Sequence, residues 1–172
     1  MTACVALPLR SLAEAATSSS LAVGSGLLVT AGILFLVPLL SNRPKNSIFK
    51  TALVVGLIQG LVVFSGVSRS GSTIAASLFM GLAASEAFRL SFFMSIPAIA
   101  GATLLEIIQV MRYPVLTLPN GWLVAMLVAF LIGISSLALL RRLVLSGKWA
   151  YFGIYCLFVG LFVVLYEAAA YF

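Results

Sequence analysis

The sequence predicts an all-α polytopic membrane protein, on the basis of its composition and the lengths of its apolar runs. Of its 172 residues, 63% are hydrophobic and 8% are charged, whereas soluble domains usually carry about 25% charged residues. So little polar surface cannot cover a water-soluble globule of this size. Because a spanning helix needs about 20 apolar residues, the chain accommodates roughly four to six membrane segments. We therefore expect a single membrane domain over residues 1–172.

Four apolar segments are long enough to cross the membrane. The first is the uncharged run 21–40, which ends at a polar, proline-containing loop at 41–46. A second loop is predicted at 113–120, where two prolines and an asparagine interrupt another apolar stretch. The other three predicted spans are 88–111, 121–141 and 149–171.

Segment 50–85 differs from these spans. Arg69 separates two uncharged stretches, 51–68 and 70–85, and each is short for a full crossing. The centre is rich in Ser and Gly. Arginine and non-helical backbone are tolerated at membrane depth where they are buried in protein or line a wet cavity. The pattern therefore predicts a re-entrant helix–loop–helix over 50–85.

The basic residues predict the orientation. If segment 50–85 enters and leaves on one side, seven basic residues share that side and two lie opposite. The positive-inside rule then puts the larger group in the cytoplasm and the C-terminus outside the cell. The seven are Arg43, Lys45, Lys50, Arg89, Arg141, Arg142 and Lys148, and the two are Arg10 and Arg112.

The composition also excludes some functions. The net charge is +6, but the basic residues are scattered singly or in pairs, so nucleic acid is not an expected partner and lipid headgroups are. The chain has no His, and Cys4 lies far from Cys156. We therefore identify no metal-ligating residues and expect neither a zinc nor a haem site.

The segment 65–73, Ser-Gly-Val-Ser-Arg-Ser-Gly-Ser-Thr, has the parts of an anion site. Gly66 and Gly71 let the backbone turn and present N–H groups, and a helix that begins near Ser72 would aim its positive end at an anion. Arg69 offers a planar fork that binds phosphate with two hydrogen bonds. Additional hydroxyl donors are Ser68, Ser70 and Thr73.

Alternative interpretations stay open at this point. The segment could be a polar hinge in which Arg69 pairs with Glu86 or Glu106. Gln59 could donate to a neighbouring helix or line the site, and Glu86 is most simply a residue at a helix start. The group Phe88, Phe92 and Phe93 fits core or lipid contact better than a groove for a lipid tail.

Several motifs together resemble the undecaprenyl-diphosphate phosphatase (bacitracin-resistance) family, whose loop reads PGxSRSGxT. The similarity is close over about 50–110 and extends to the later spans by pattern only. One departure is Ser65, which stands where the family has Pro. The similar stretches are Val55–Gly60, Ser65–Thr73, Gly81-Leu82, Ser85-Glu86-Ala87 and Phe88–Pro97.

The resemblance implies an enzyme of the plasma (inner) membrane that removes the terminal phosphate of the C55 isoprenoid diphosphate, for carrier-lipid recycling in cell-wall synthesis and bacitracin resistance. It implies a fold of two inverted repeats, of which this chain is half, with divalent Mg²⁺ or Ca²⁺ as cofactor. By position, Ser68, Arg69, Ser70 and Thr73 would be the catalytic residues that hold the diphosphate. We assign substrate binding to Gly66, Gly71, Ser72 and Gln59.

The ExxxE segment and the His that the first repeat supplies in the family have no counterpart in the sequence, and segment 21–40 would correspond to the last span of that repeat. Three explanations remain: the chain is part of a longer enzyme, a second copy or a first-repeat partner completes it, or it binds lipid phosphate without cleaving it. We favour the first. Other classes of function are a carrier or flippase for a phosphorylated lipid and a small structural membrane protein.

Overall fold

The computed structural model describes residues 19–40, 46–62, 64–112 and 120–170. Within these ranges the chain is helical and has no strand, which confirms the predicted all-α class. Most of the two predicted loops at 41–46 and 113–120 lies outside the described residues, as do Cys4, Arg10, Arg43 and Lys45. The helices are α1 (Ser20–Leu40), α2 (Ile48–Leu61), α3 (Arg69–Phe79), α4 (Ala84–Arg112), α5 (Trp122–Leu145) and α6 (Trp149–Ala170).

Four of these helices, α1, α4, α5 and α6, are long and apolar enough to cross a membrane, and they correspond to the four predicted spans. The chain is therefore a multi-pass membrane protein. Helix α4 begins at Ala84 rather than at 88, because the Glu86 carboxylate accepts a hydrogen bond from the Ala83 N–H at 3.3 Å and satisfies the helix start. Helix α5 continues past residue 141 to Leu145, since basic side chains stabilise the last turns of a helix.

Segment 50–85 forms a hairpin of two short helices. The 14 residues of α2 and the 11 residues of α3 span roughly 21 and 16 Å, less than the ~30 Å hydrocarbon core. The ends of the hairpin meet, because the backbone N–H of Asn46 donates to the Met80 carbonyl at 3.1 Å. The helix–loop–helix is thus confirmed, and its placement in the membrane as a re-entrant element stays a prediction.

Helix α3 lies inside the bundle. It packs against α1, α2 and α4, while α1 makes its most extensive contact with α6. Most of α5 and the second half of α4 carry exposed apolar side chains, as lipid contact requires. The buried core that holds α3 in place consists of Ala31, Leu34, Val37, Ile74, Leu78, Leu82, Ala87, Val144, Trp149 and Cys156.

Candidate functional site

The loop between α2 and α3 rests directly on the backbone of α1. Gly66 has a φ of +89°, and a Cβ atom there would lie 2.2 Å from the Val23 carbonyl oxygen. On the α1 side, a Cβ atom at Gly26 would lie 2.6 Å from the Ser65 carbonyl oxygen. Only glycine fits at these two positions, because the close approach of the two backbones excludes a side chain at both, and Gly66 in addition has a left-handed backbone. Gly66 therefore has a steric role in shaping the loop.

Thr30 of α1 forms hydrogen bonds with two residues of the loop between α2 and α3. Its hydroxyl oxygen accepts a hydrogen bond from the Ser68 N–H at 2.9 Å. The hydroxyl proton faces two carbonyl oxygens at 3.0 Å, those of Gly66 and Gly26. Thr30 is 2% exposed, so these bonds form away from solvent. Sequence reasoning missed this residue, although Thr30 is one of two hydroxyl residues in the apolar run 21–40 and lies one turn from Gly26.

Helix α3 begins at Arg69, three residues before the predicted start near Ser72. The reason is Ser68, which is the N-cap: its hydroxyl oxygen accepts a hydrogen bond from the Gly71 N–H at 3.1 Å. The N–H groups of Arg69 and Ser70 precede the first intrahelical bond of α3, which runs from Ser72 N to Ser68 O at 2.9 Å. The positive end of the helix is therefore formed at Arg69 and Ser70.

A cavity of about 410 Å³ opens beside this helix start, between α3, α4 and α5. Its size is within the range of small-molecule sites, about 300–1,000 Å³. Arg69 and Ser70 supply the polar part of the wall, together with three further hydroxyls. The lining residues are Arg69, Ser70, Thr73 and Ile74 of α3, Phe88, Ser91, Phe92, Ser95 and Ile99 of α4, and Leu137 and Leu140 of α5.

Thr73 lines this cavity, but its hydroxyl is engaged within the protein. Thr73 is 1% exposed, and its hydroxyl donates to the carbonyl oxygens of Arg69 at 2.9 Å and Ser70 at 3.2 Å. The same oxygen lies 2.7 Å from the hydroxyl oxygen of Ser91 on α4. Through these hydrogen bonds, Thr73 links helix α4 to the first turn of α3.

None of the four residues predicted to bind substrate, Gly66, Gly71, Ser72 and Gln59, is among those that line the cavity. Gln59 is 2% exposed and donates from Nε2 to the Met94 carbonyl at 3.2 Å, which is the helix-neighbour contact considered above. Ser72 is also buried. Gln59 Oε1 and Ser72 Oγ have no hydrogen-bond partner within the described part of the chain. Both side chains lie in the packing around the hairpin.

The aromatic residues at the start of α4 divide into two groups. Phe88 and Phe92 line the cavity. Phe88 also packs against the buried core and Phe92 is 40% exposed, which agrees with the expected core or lipid contact. Phe93 is 65% exposed and points away from the protein. The difference arises because residues 88, 91, 92, 95 and 99 follow the helical period and share one face of α4. This face places rings and hydroxyls on the same wall.

The cavity wall does not fit a complete binding site for a divalent cation. Mg²⁺ and Ca²⁺ prefer carboxylate and carbonyl oxygens, and the lining residues include an arginine, hydroxyls and apolar groups but no carboxylate. Among the described residues, no group of three or more His, Cys, Asp or Glu side chains lies close enough to hold a metal. Any metal would need ligands in addition to these.

These observations define the class of protein. It is a multi-pass helical membrane protein with a cavity lined by an arginine and several serines, which lies at the capped N-terminus of the short, enclosed helix α3. The chain belongs to the family described as "Bacitracin resistance protein BacA", whose model matches residues 1–162. The family identity agrees with the resemblance found in the motifs around Arg69.

Three curated relatives, each named undecaprenyl-diphosphatase, illustrate the similarity. The protein of Korarchaeum cryptofilum is 40% identical over 144 residues, which cover 83% of this chain and 53% of the relative. That of Desulforapulum autotrophicum is 37% identical over 167 residues, 95% of this chain and 60% of the relative. That of Treponema denticola is 41% identical over 126 residues, 73% and 47% respectively. The chain spans about half the length of these relatives.

Proposed function

We propose that the chain binds the diphosphate group of undecaprenyl diphosphate and takes part in its dephosphorylation to undecaprenyl phosphate. The observation that carries this proposal is the position of Arg69, which lines the cavity at the N-terminal end of α3. A guanidinium group stays charged in a low dielectric and donates two parallel hydrogen bonds to phosphate oxygens. The name of the relatives supports the same substrate.

The polar end of the cavity suits a diphosphate. Arg69 provides the charge, and the hydroxyl of Ser70 and the N–H groups of the first turn provide further donors. Ser68 acts indirectly, since its capping bond to Gly71 keeps this turn helical. Thr73 likewise supports the turn from within. In this proposal Arg69 and Ser70 contact the diphosphate, and Ser68 and Thr73 hold them in place.

The apolar part of the cavity suits the first isoprene units of the lipid. Phe92 and Ile99 of α4 face Leu137 of α5 across this part of the wall. Each of these two helices exposes apolar side chains along most of its length. A lipid tail would therefore pass from the cavity to the hydrocarbon core without crossing a polar surface.

Hydrolysis needs a further group. Phosphoryl transfer requires charge neutralisation on the transferred phosphoryl group and a residue that positions or activates the nucleophile. Arg69 meets the first requirement, and no carboxylate or imidazole lines the cavity to meet the second. We propose that the general base and the carboxylates for Mg²⁺ or Ca²⁺ belong to a first repeat, either within a longer enzyme or in a separate partner, with a homodimer of this chain as the alternative source.

We further propose that the protein resides in the plasma (inner) membrane with its C-terminus outside the cell. Within the described residues, Lys50 lies in the first turn of α2 and Arg89 in the second turn of α4. Three further basic residues lie at or near the connection between α5 and α6: Arg141, Arg142 and Lys148. The Asn46–Met80 contact brings the start of α2 and the start of α4 to one end of the bundle. This arrangement supports a cytoplasmic location for that end.

The test uses the purified 172-residue protein in lipid nanodiscs. Binding of an isoprenyl diphosphate is measured by titration, and phosphate release is followed with Mg²⁺, with Ca²⁺ and with a chelator. We expect binding with slow release, and a rise in rate of about 10²–10⁴-fold when a first-repeat partner supplies the general base. Absence of binding would contradict the proposal.

Two other outcomes discriminate between the alternatives. Lipid transfer between leaflets without phosphate release would favour a carrier. Fast metal-dependent release by this chain alone would contradict a base supplied by a first repeat, and would direct attention to Glu86 and Glu106 as carboxylates within one copy or across a homodimer.

A further inference from the structure

Resting on the proposed function, we infer that Ser91 is a positioning residue for Arg69, acting through the hydroxyl of Thr73. Ser91 belongs to the Phe88–Pro97 stretch of α4, to which the proposed function assigns no role in holding the phosphate. It is 6% exposed, and its hydroxyl oxygen lies 2.7 Å from that of Thr73. Thr73 in turn donates to the Arg69 carbonyl at 2.9 Å.

The direction of these hydrogen bonds follows from counting protons. Thr73 has one hydroxyl proton, and the two carbonyl oxygens next to it, those of Arg69 and Ser70, can only accept. We assign the proton of Thr73 to a carbonyl, which makes Ser91 the donor in the 2.7 Å contact, where the geometry allows either hydroxyl to donate. The hydrogen bonds therefore run from the Ser91 hydroxyl to the Thr73 hydroxyl, and from the Thr73 hydroxyl to the backbone carbonyl of Arg69.

This order has a consequence for the cavity. Arg69 and Ser70 lie in the first turn of α3, and Ser91 lies on the opposite wall formed by α4. The Ser91–Thr73 bond is a side-chain bond that joins these two walls at the level of the first turn. Loss of the Ser91 hydroxyl removes a buried donor, so the first turn is no longer held at a set distance from α4 and Arg69 loses its preorganised position.

The variants separate positioning from a purely structural effect. Ser91→Ala removes the bond, and Ser91→Thr keeps a hydroxyl at the same place. Ser77→Ala is the matched control, since Ser77 is buried on the same helix as Thr73 and its hydroxyl donates at 2.7 Å to the Thr73 carbonyl, but it does not line the cavity. Both alanine variants therefore lose one buried serine bond next to Thr73.

The first measurement is the affinity for an isoprenyl diphosphate in nanodiscs. We expect Ser91→Ala to bind about 3–10-fold more weakly, as a net hydrogen bond predicts. Ser91→Thr should restore the affinity to within about 2-fold, and Ser77→Ala should bind like the wild type. In a double-mutant cycle the Ser91→Ala effect should disappear when Arg69 is already alanine, because the two residues act as one unit. Equal losses in both backgrounds would overturn the inference.

The second measurement needs no ligand. In protein labelled with ¹⁵N-arginine, the Nε–Hε resonance of Arg69 is assigned by its loss in Arg69→Lys. We expect this resonance to shift in Ser91→Ala and to stay in place in Ser77→Ala. An unchanged resonance in Ser91→Ala would overturn the inference. If the wild type binds no isoprenyl diphosphate, the proposed function fails, and the resonance alone decides whether Ser91 positions Arg69.

Discussion

The hydroxyl oxygen of Thr30 lies 2.9 Å from the backbone nitrogen of Ser68, a residue 38 positions later in the chain. This contact joins a membrane-spanning helix to the residue that caps α3. Because the same hydroxyl is 3.0 Å from the Gly66 carbonyl, one side chain holds both ends of the short turn 66–68. The position of Arg69 therefore depends on α1 as well as on its own loop.

The first prediction concerns this contact. Thr30→Val keeps the shape of the side chain but leaves the Ser68 N–H without its acceptor. We expect a loss of about 1–3 kcal/mol in the free energy of unfolding, the usual cost of an unsatisfied buried polar group. Thr30→Ser, which keeps the hydroxyl, is the control. Denaturant unfolding in detergent measures both, and equal stability of the valine variant and the wild type would contradict the role of Thr30.

The second prediction concerns Gly66. Gly66→Ala places a methyl group 2.2 Å from the Val23 carbonyl oxygen at a φ of +89°, so we expect severe destabilisation and loss of lipid diphosphate binding. Gly121→Ala is a matched control, because Gly121 has a φ of +91° but nothing within 4 Å of its added Cβ. The thermal midpoint should fall much further for Gly66→Ala. Similar falls in the two variants would show that backbone conformation alone, without the contact to α1, explains the loss.

The third prediction concerns the apolar wall of the cavity. Ile99→Trp fills space near the proposed lipid tail, so the affinity for a long-chain isoprenyl diphosphate should fall while that for inorganic pyrophosphate changes little. Ile107→Trp is the control, because Ile107 is on the same helix and similarly exposed, at 50% against 56% for Ile99, but lies outside the cavity. If Ile99→Trp lowered the affinity for both ligands equally, the lipid tail would not lie against this wall of the cavity.

The fourth prediction concerns the membrane placement of the hairpin. Ser47 and Ser85 are exposed and lie just before α2 and at the start of α4. Single cysteines at these positions, in a background without Cys4 and Cys156, should react with a membrane-impermeant maleimide from the same side of oriented vesicles. Reaction from opposite sides would mean that the hairpin crosses the membrane.

The extent to which sequence predicted this protein differs between the fold and the site. The spans were predictable because a membrane crossing needs a long uncharged run, and those at 21–40 and 149–171 correspond to α1 and α6 within about one residue. The ends of α4 and α5 were less predictable, since a charged residue such as Glu86 or Arg141 can lie inside a helix at its terminal turns.

The site depends on contacts that local patterns do not contain. The pattern of Ser, Gly and Arg indicated the loop and Arg69, because those residue types suit an anion. It did not indicate Thr30 or Ser91, which reach the loop and Thr73 from positions 38 and 18 residues away. The sequence around a single hydroxyl residue on an apolar helix is the same whether the hydroxyl only packs against a neighbouring helix or forms a hydrogen bond that shapes a site. The pattern likewise did not indicate that Phe88 and Phe92 also line the cavity.

The most direct test of the account is the affinity of an isoprenyl diphosphate for Arg69→Ala, compared with the wild type and with Arg89→Ala. Arg89 is an exposed arginine on α4 that does not line the cavity, so its variant controls for the loss of one positive charge. We predict a fall of about 10–100-fold for Arg69→Ala, as expected for charge-assisted hydrogen bonds, with partial recovery in Arg69→Lys and little change in Arg89→Ala. Unchanged affinity in Arg69→Ala, or equal falls in both alanine variants, would contradict a diphosphate site at Arg69.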